Sequence, residues 1–498
     1  MEKSLRSHPK LAWDTLLAVD DDRRAGPLYV RLTNALRDAM RSGRFPTGSA
    51  LPASRQLADD LGCSRWVVTE AYEQLVAEGY LEAQVGSATR VRGRDHRQPE
   101  PASTAAIPVE PPGIDLRPGL GDLRSFPRIG WMRAQREAVT GLPHGDLAYP
   151  PAGGHPRLRR VLAEYLHRVR GADVSDSELT ITSGILDGIT QLTRVMADSG
   201  FHSIAIENPC WSRLFEGVRR TNLEVVPIAV DSKGIKTDQL RRAKVQAVIV
   251  APAHQFPTGA VLVPERRAEL LDWAATVDGL ILEDDYDAEF RYDRRPIGAL
   301  QGIDSERVAY FGSLSKTLAP AVGLGWMLTP RRWTEALRSN QARVTGPSVL
   351  EQLALARFIE NGGYDRHLRI LRRKYRSRRD HLVEALRSKL PECQTTGVAA
   401  GLHIVLRLPQ GLSGAAVVAA ARARSVRVSD LRAFMFPAPG PIHEAGGQPI
   451  GEYEEGLVIG YGNLDDALIE QAVGELALAA RTVRRIAIRA RSAGALSS

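Results

Sequence analysis

Apolar residues recur at helical spacing over Leu28–Arg41 (LYVRLTNALRDAMR), and Ser42-Gly43 stops the run. A short second helix is predicted over residues 55–61, capped by Ser54, and Gly62-Cys63 makes the turn after it. Ser64 opens a third helix, SRWVVTEAYEQLVAEG, whose buried face would be Val67, Val68, Ala71, Tyr72, Leu75 and Val76. Gly79 ends that helix, and YLEAQVGSATRVR reads as two short strands around Gly86, a wing. Residues 92–113 then lose all periodicity; their five prolines predict an extended linker. From Ile114 onward short apolar runs (ELTITSG, SIAIENP, EVVPIAV, QAVIVAPA, GLILEDD, RVAYFGS) alternate with helical segments, the mark of a mainly parallel α/β sheet. From about Arg343 the pattern turns helix-rich and then returns to short strands, GLHIVLRL and GLVIGYG, predicting a smaller α+β lobe. The expected division is a head at 1–91, a linker at 92–113, a body at 114–480 and a basic tail at 481–498.

Composition changes this picture little. A chain of 498 residues is too long for one compact core, and 43% hydrophobic with 25% charged residues is ordinary for a globular protein. The polar start, MEKSLRSHPK, does not resemble a signal peptide, and no run reaches the ~18 apolar residues of a membrane helix. Cys63, Cys210 and Cys393 lie far apart without C-x-x-C spacing, which argues against a disulfide framework or a structural zinc site and fits a cytoplasmic location. The formal charge of +8 is concentrated: residues 366–379 hold seven arginines and one lysine, and residues 480–498 hold five arginines. Both lack acids, so the rest of the chain is net acidic; the first stretch is read as a solvated helix face rather than a DNA track.

The head has the form of a helix-turn-helix, in which the first turn of the second helix enters the major groove. That geometry places Arg65 and Thr69 near base edges and backbone, Ser64 with its helix N-terminus near a phosphate, and Arg55 at backbone or groove. The segments Leu51-Pro52-Ala53-Ser54-Arg55-Gln56-Leu57-Ala58, Ser64-Arg65 and Ala71-Tyr72-Glu73-Gln74-Leu75 resemble the GntR superfamily of bacterial regulators. The resemblance implies double-stranded DNA as partner, with contacts at Arg55, Ser64, Arg65, Trp66, Thr69 and the wing at Gly86. Trp66 departs from the small polar residue expected at its position.

The body offers a candidate for each need of pyridoxal phosphate: a lysine for the aldehyde, an acid for the ring nitrogen, a partner for the ring hydroxyl, a flat surface and a phosphate cup. Lys316 follows the strand RVAYFGS, where it can lose its proton and form a Schiff base, with Ser313 and Ser315 as hydroxyl donors to a phosphate. Asp284 ends the apolar strand Gly279-Leu280-Ile281-Leu282, at the carboxyl end where open sheets bind ligands, and Tyr286 lies two residues on. Trp211 can stack on the ring, and the backbone at Ile185 and Leu186, opening a helix after Thr182-Ser183-Gly184, can cradle phosphate.

Together these residues resemble the fold-type I aminotransferase superfamily, and joined to the head they resemble its MocR/GabR branch. The matching stretches include Tyr149-Pro150-Pro151-Ala152-Gly153, His254-Gln255-Phe256-Pro257-Thr258-Gly259, Glu283-Asp284-Asp285-Tyr286-Asp287-Ala288-Glu289-Phe290 and Ser315-Lys316-Thr317-Leu318. The resemblance implies a winged helix-turn-helix joined to an α/β pyridoxal-phosphate transferase fold, and a head-to-tail homodimer in which Tyr149 reaches the partner's phosphate. It also implies an amine or amino acid as effector. Two positions depart from it. Gly323 stands where an arginine is expected to grip the phosphate, a charge-assisted contact worth about 1.5–3 kcal/mol, or one to two orders of magnitude in affinity. Val458 stands where an arginine would hold a substrate carboxylate. Three readings stay open: a cofactor-sensing regulator, a working aminotransferase with a DNA-binding head, and a DNA-binding dimer with a vestigial cofactor site.

Overall fold

The protein is described by a computed structural model that covers residues 26–83, 88–92, 113–149, 151–292, 297–341, 346–436 and 455–494. It divides between Glu110 and Pro111 into two units. In the first, α1 (Leu28–Arg41), α2 (Ser54–Asp60) and α3 (Arg65–Ala77) are followed by an antiparallel pair, β1 (Leu81–Glu82) and β2 (Arg90–Val91). Leu32, Leu36, Leu57, Val68, Ala71 and Leu75 form its core. Two expectations need correcting. Val76 is 37% exposed, because it falls at the edge of the stripe that α1 and α2 cover. Ser54 is the first helical residue rather than a cap; Ala53 takes the cap position, and the Ser54 hydroxyl instead accepts a hydrogen bond from Arg65 Nε at 3.3 Å. Gly86 lies outside the described residues.

The second unit begins with β3 (Ile114–Asp115) and builds its main sheet from β4 (Leu179–Thr182), β5 (Ser203–Asn208), β6 (Glu224–Asp231), β7 (Gly234–Ile235), β8 (Ala247–Val250), β9 (Leu280–Asp284), β10 (Val308–Ser313) and β11 (Gly325–Leu328). Their order is β4-β11-β10-β9-β8-β5-β6-β7. The run from β6 to β10 is parallel, whereas β11 is antiparallel to both neighbours. The period of two explains why the central strands read as unbroken apolar runs. Leu280 and Leu282 face one apolar layer with Ile249 and Phe311, and Ile281 faces another with Val248 and Val308. Burial of each such side chain contributes about 1.5–3 kcal/mol. The strands β4, β5, β6, β8, β9 and β10 coincide with the six predicted runs, whereas β11 and the two-residue β7 lie outside them.

The smaller lobe pairs β12 (Gln394–Thr396), β13 (His403–Arg407), β15 (Ser429–Asp430) and β16 (Gly456–Gly460) in antiparallel order β12-β13-β16-β15, while β14 (Val426–Arg427) runs parallel to β3. Two long helices flank it, Gly363–Lys389 and Ile469–Gly494. The first carries the arginine-rich stretch. Arg366, Arg369, Arg373 and Arg376 are exposed as expected, but Arg378 is buried, donating to Asp122 at 3.0 Å and Asp466 at 2.6 Å. The second helix runs on past position 480, where the basic tail was expected to begin, so that residues 481–494 lie in the same helix. Among the described residues, no helix is long and apolar enough to cross a membrane.

Candidate functional site

In the first unit, α3 presents its opening turn to solvent. Arg55, Ser64, Arg65 and Trp66 are exposed, Trp66 to 62% with its ring edge-on to Tyr29 at 5.7 Å. Ser64 holds the cap position of α3 but makes no side-chain cap bond, which leaves its hydroxyl and the first amides of the helix for an outside acceptor. Thr69 donates its hydroxyl to the Arg65 carbonyl at 3.0 Å. These residues therefore share one surface, polar and cationic, backed by the buried Val67 and Val68.

In the second unit, the carboxyl ends of β9 and β10 bring Asp284, Tyr286 and Lys316 together. Glu283, Asp284, Asp285 and Asp287 lie close in sequence, and each acid meets a different fate. Glu283 accepts from the Leu300 and Gln301 amides at 3.0 and 3.1 Å. Asp285 accepts from Arg170 Nε at 2.7 Å and the Tyr310 hydroxyl at 2.6 Å. Asp287 pairs with His254 Nδ1 at 2.9 Å. Among these four, Asp284 alone has no hydrogen-bond partner in the described residues, and its Oδ1 is buried. Burial, and then the charges of Asp285 and Asp287, push its carboxyl up to about 7, against the pull of Lys316. A cationic ring N–H is the partner such an orphaned oxygen lacks.

Lys316 sits in a tight turn after β10. Burial lowers its pKa from the ordinary lysine value, opposed by Asp287 and Asp284. Its ammonium donates to the Gly119 carbonyl. The turn is clamped from several sides. The Tyr364 hydroxyl donates to Thr317 Oγ1 at 3.0 Å, and His367 Nε2 bonds the Thr317 carbonyl at 2.7 Å. Gly121 lies so close that a Cβ there would fall 2.6 Å from the Lys316 carbonyl oxygen.

The Tyr286 hydroxyl lies 3.1 Å from His254 Nδ1, the nitrogen that also faces Asp287. Behind this pair, the His403 ring lies tilted against His254, 5.1 Å between centres, and bonds the Pro257 carbonyl through Nε2 at 3.0 Å. Burial, then the neighbouring His254, holds His403 down at about 3, so it is neutral. The sequence carried His254 and Asp287 within recognisable motifs but without a role; only the fold shows that they meet around Tyr286. Phe256 stands edge-on to both His403 and Phe434, and with Val405, Leu431 and the fully buried Val458 it makes an apolar wall.

Trp211 begins the helix Ser212–Arg219 beyond β5 and is 40% exposed. Its neighbour Cys210 is near enough to Asp284 to feel that charge. Ser313 ends β10, its hydroxyl accepting from the Ser315 amide at 3.4 Å. Ile185 and Leu186 open the helix Ile185–Asp198 at the end of β4, and Gly325 of β11 packs directly on Gly184, where a Cβ would fall 2.6 Å from Cα. Tyr149 is 94% exposed and is not brought to these residues within the chain. The ring end of pyridoxal phosphate thus finds fitting groups in Lys316, Asp284 and Tyr286. The phosphate end finds hydroxyls and amides, with Gly323 where the arginine was expected.

The matches with known proteins follow the two units. Residues 28–91 match the gntR family of bacterial regulatory proteins, and residues 119–443 match aminotransferase class I and II. The probable rhizopine catabolism regulatory protein MocR of Rhizobium meliloti is 30% identical over 93% of this chain and 95% of its own. The HTH-type pyridoxine biosynthesis transcriptional regulator PdxR of Corynebacterium glutamicum is 30% identical over 90% of this chain and 94% of its own. Among solved structures, the kynurenine aminotransferase of Pyrococcus horikoshii has a TM-score of 0.66 at 23% identity, covering 75% of this chain and 91% of that one, which bears on the fold alone. A gntR-type reader ahead of a full-length aminotransferase fold, matched end to end by such regulators, makes this chain a member of the MocR family of DNA-binding transcription regulators.

Proposed function

We propose that this regulator senses a vitamin B6 aldehyde, with pyridoxal phosphate taken at Lys316 and the cofactor, or its adduct with an amine, biasing how two heads engage repeated half-sites on operator DNA. When bound, the cofactor supplies an electrophilic carbon and an electron sink. The observation that carries this reading is the buried, unpartnered Oδ1 of Asp284 beside a lysine whose pKa burial has lowered. Asp284 holds the ring nitrogen, Tyr286 the ring hydroxyl, Trp211 the ring face, and Ser313, Ser315 and the amides of Ile185 and Leu186 the phosphate. A head-to-tail homodimer in the cytoplasm completes the arrangement, and the exposed Tyr149 is available to the partner's site. On the DNA side, Arg55, Ser64, Arg65, Trp66, Thr69 and the wing at Gly86 contact the operator.

Sensing requires that ligand affinity differ between two conformations. Operator affinity is therefore measured with and without the cofactor, alone and with candidate amines. A change in affinity supports the reading; identical affinities under all ligands overturn it. Turnover as an aminotransferase is disfavoured by Val458, which is buried in the apolar wall where a carboxylate-binding arginine would have to stand.

A further inference from the structure

We infer that the pocket recognises its aldehyde almost entirely by the ring end, so that unphosphorylated pyridoxal binds about as well as its phosphate. This rests on the reading of Lys316 as the aldehyde-binding lysine and deepens it by naming the ligand class. Four observations at the phosphate end carry it. A carboxylate stands in the first turn of the helix Ile185–Asp198: Asp187 Oδ2 accepts the amide of Ser183, just before the helix, at 2.8 Å, and its Oδ1 accepts Gln191 Nε2 at 2.9 Å. A phosphate approaching that helix end meets a fixed negative charge where the positive end of the dipole should welcome it. The first two side chains of the helix are apolar, Ile185 buried in a hydrophobic cluster and Leu186 packed against it. Gly323 adopts a left-handed φ of 62°, with no heavy atom within 4 Å of where a Cβ would stand, so the place of the expected arginine holds no side chain. The groups that remain, the hydroxyls of Ser313 and Ser315 and the amides of Ile185 and Leu186, are uncharged.

The ring end, by contrast, is complete, with Asp284, the Tyr286–His254–Asp287 set and Lys316 in place. The bond-forming step needs nothing from the phosphate. After giving up its extra proton, the Lys316 amine adds to the aldehyde carbon, a C=N bond forms, and the aldehyde oxygen leaves as one water with the two remaining amine hydrogens. Each charge-assisted phosphate contact that is missing forgoes about ten- to a hundredfold in affinity.

Full-length protein is titrated with pyridoxal phosphate and with pyridoxal, reading the visible band of the lysine conjugate, with Lys316→Ala as the blank. Pyridoxal is corrected for the fraction closed as its hemiacetal. The two dissociation constants are expected to agree within about tenfold. Asp187→Asn and, separately, Gly323→Arg should tighten pyridoxal phosphate by about tenfold or more while leaving pyridoxal unchanged. Because arginine must take a left-handed backbone at 323, the Asp187 variant carries the test if the other is misfolded. A wild-type preference for the phosphate of a hundredfold or more overturns the inference and leaves the lysine reading intact. A band with neither aldehyde overturns both.

Discussion

Replacing Glu207 by glutamine should make the body more stable at alkaline pH and leave it unchanged in acid. Glu207 lies fully buried near the end of β5, accepting the Ala251 amide at 3.0 Å, and burial, with a small contribution from Asp284, pushes its carboxyl from 4.5 up to about 8. The folded state therefore holds this proton more tightly than the unfolded chain does. Below pH 4.5 both states are protonated and the site is neutral in its effect. Between pH 4.5 and about 8 the unfolded chain releases its proton while the folded protein keeps it, so stability falls as pH rises, by about 1.4 kcal/mol per pH unit. Above about pH 8 the loss is complete. Glutamine has the shape of the protonated acid and keeps the acceptor for Ala251, yet cannot ionise. At pH 5 the variant should lead the wild type by less than about 1 kcal/mol, and at pH 8 it should gain on the order of 4 kcal/mol. With an unfolding entropy of about 2.1 cal/mol/K per residue, the body changes by about 0.8 kcal/mol per kelvin, so the gain reads as about 5 °C in Tm. Thermal melts of both proteins from pH 5 to pH 9, followed by the buried tryptophans, check this. A Tm difference that does not grow with pH would refute the assignment of a buried neutral acid.

Further expectations concern the other sites. Arg65→Ala should weaken operator binding by about 1–3 kcal/mol without altering the aldehyde titration, as read by fluorescence anisotropy on a labelled duplex. Arg378→Ala leaves Asp122, which its cationic neighbours hold at about 2, buried and short of a partner; a loss of about 3–5 kcal/mol by denaturant titration is expected, and a loss below 1 kcal/mol would show the pair to be solvated. Asp287→Asn removes the charge facing His254, and should shift the wavelength and pH midpoint of the visible band while the protein stays folded by circular dichroism.

Much of this architecture is legible in the sequence because period and burial coincide. The strands of the parallel core have both faces covered, so their apolar runs stand out, and the acids at the end of β9 mark the ligand edge. Signals fail where a residue's surroundings come from distant chain. Nothing local distinguishes Asp284 from Asp285; Arg170 and Tyr310, far away in sequence, remove the second from the site. Arg378 looks like one more solvated arginine until Asp122 and Asp466 are folded against it. Val76 and Ser54 fail for the opposite reason, a shift of one position at the edge of a helix. The sequence reads the first turn at Ile185 and Leu186 only as backbone for a phosphate cradle; the carboxylate of Asp187 turning back onto Ser183 required coordinates.

The bond from Lys316 to Gly119 makes one nitrogen serve two masters. Gly119 belongs to the segment that opens the described part of the second unit, and that segment is itself stitched down, with the Ile114 amide on the Ser425 carbonyl at 2.9 Å and the Gly460 amide on the Leu116 carbonyl at 2.7 Å. An amine committed to a ligand carbon has fewer protons to offer the Gly119 carbonyl, so capture of a ligand and tethering of this segment compete for the same atom. The stretch from Gly113 to Gly119 is thus fastened at several points, and the last of them is the lysine.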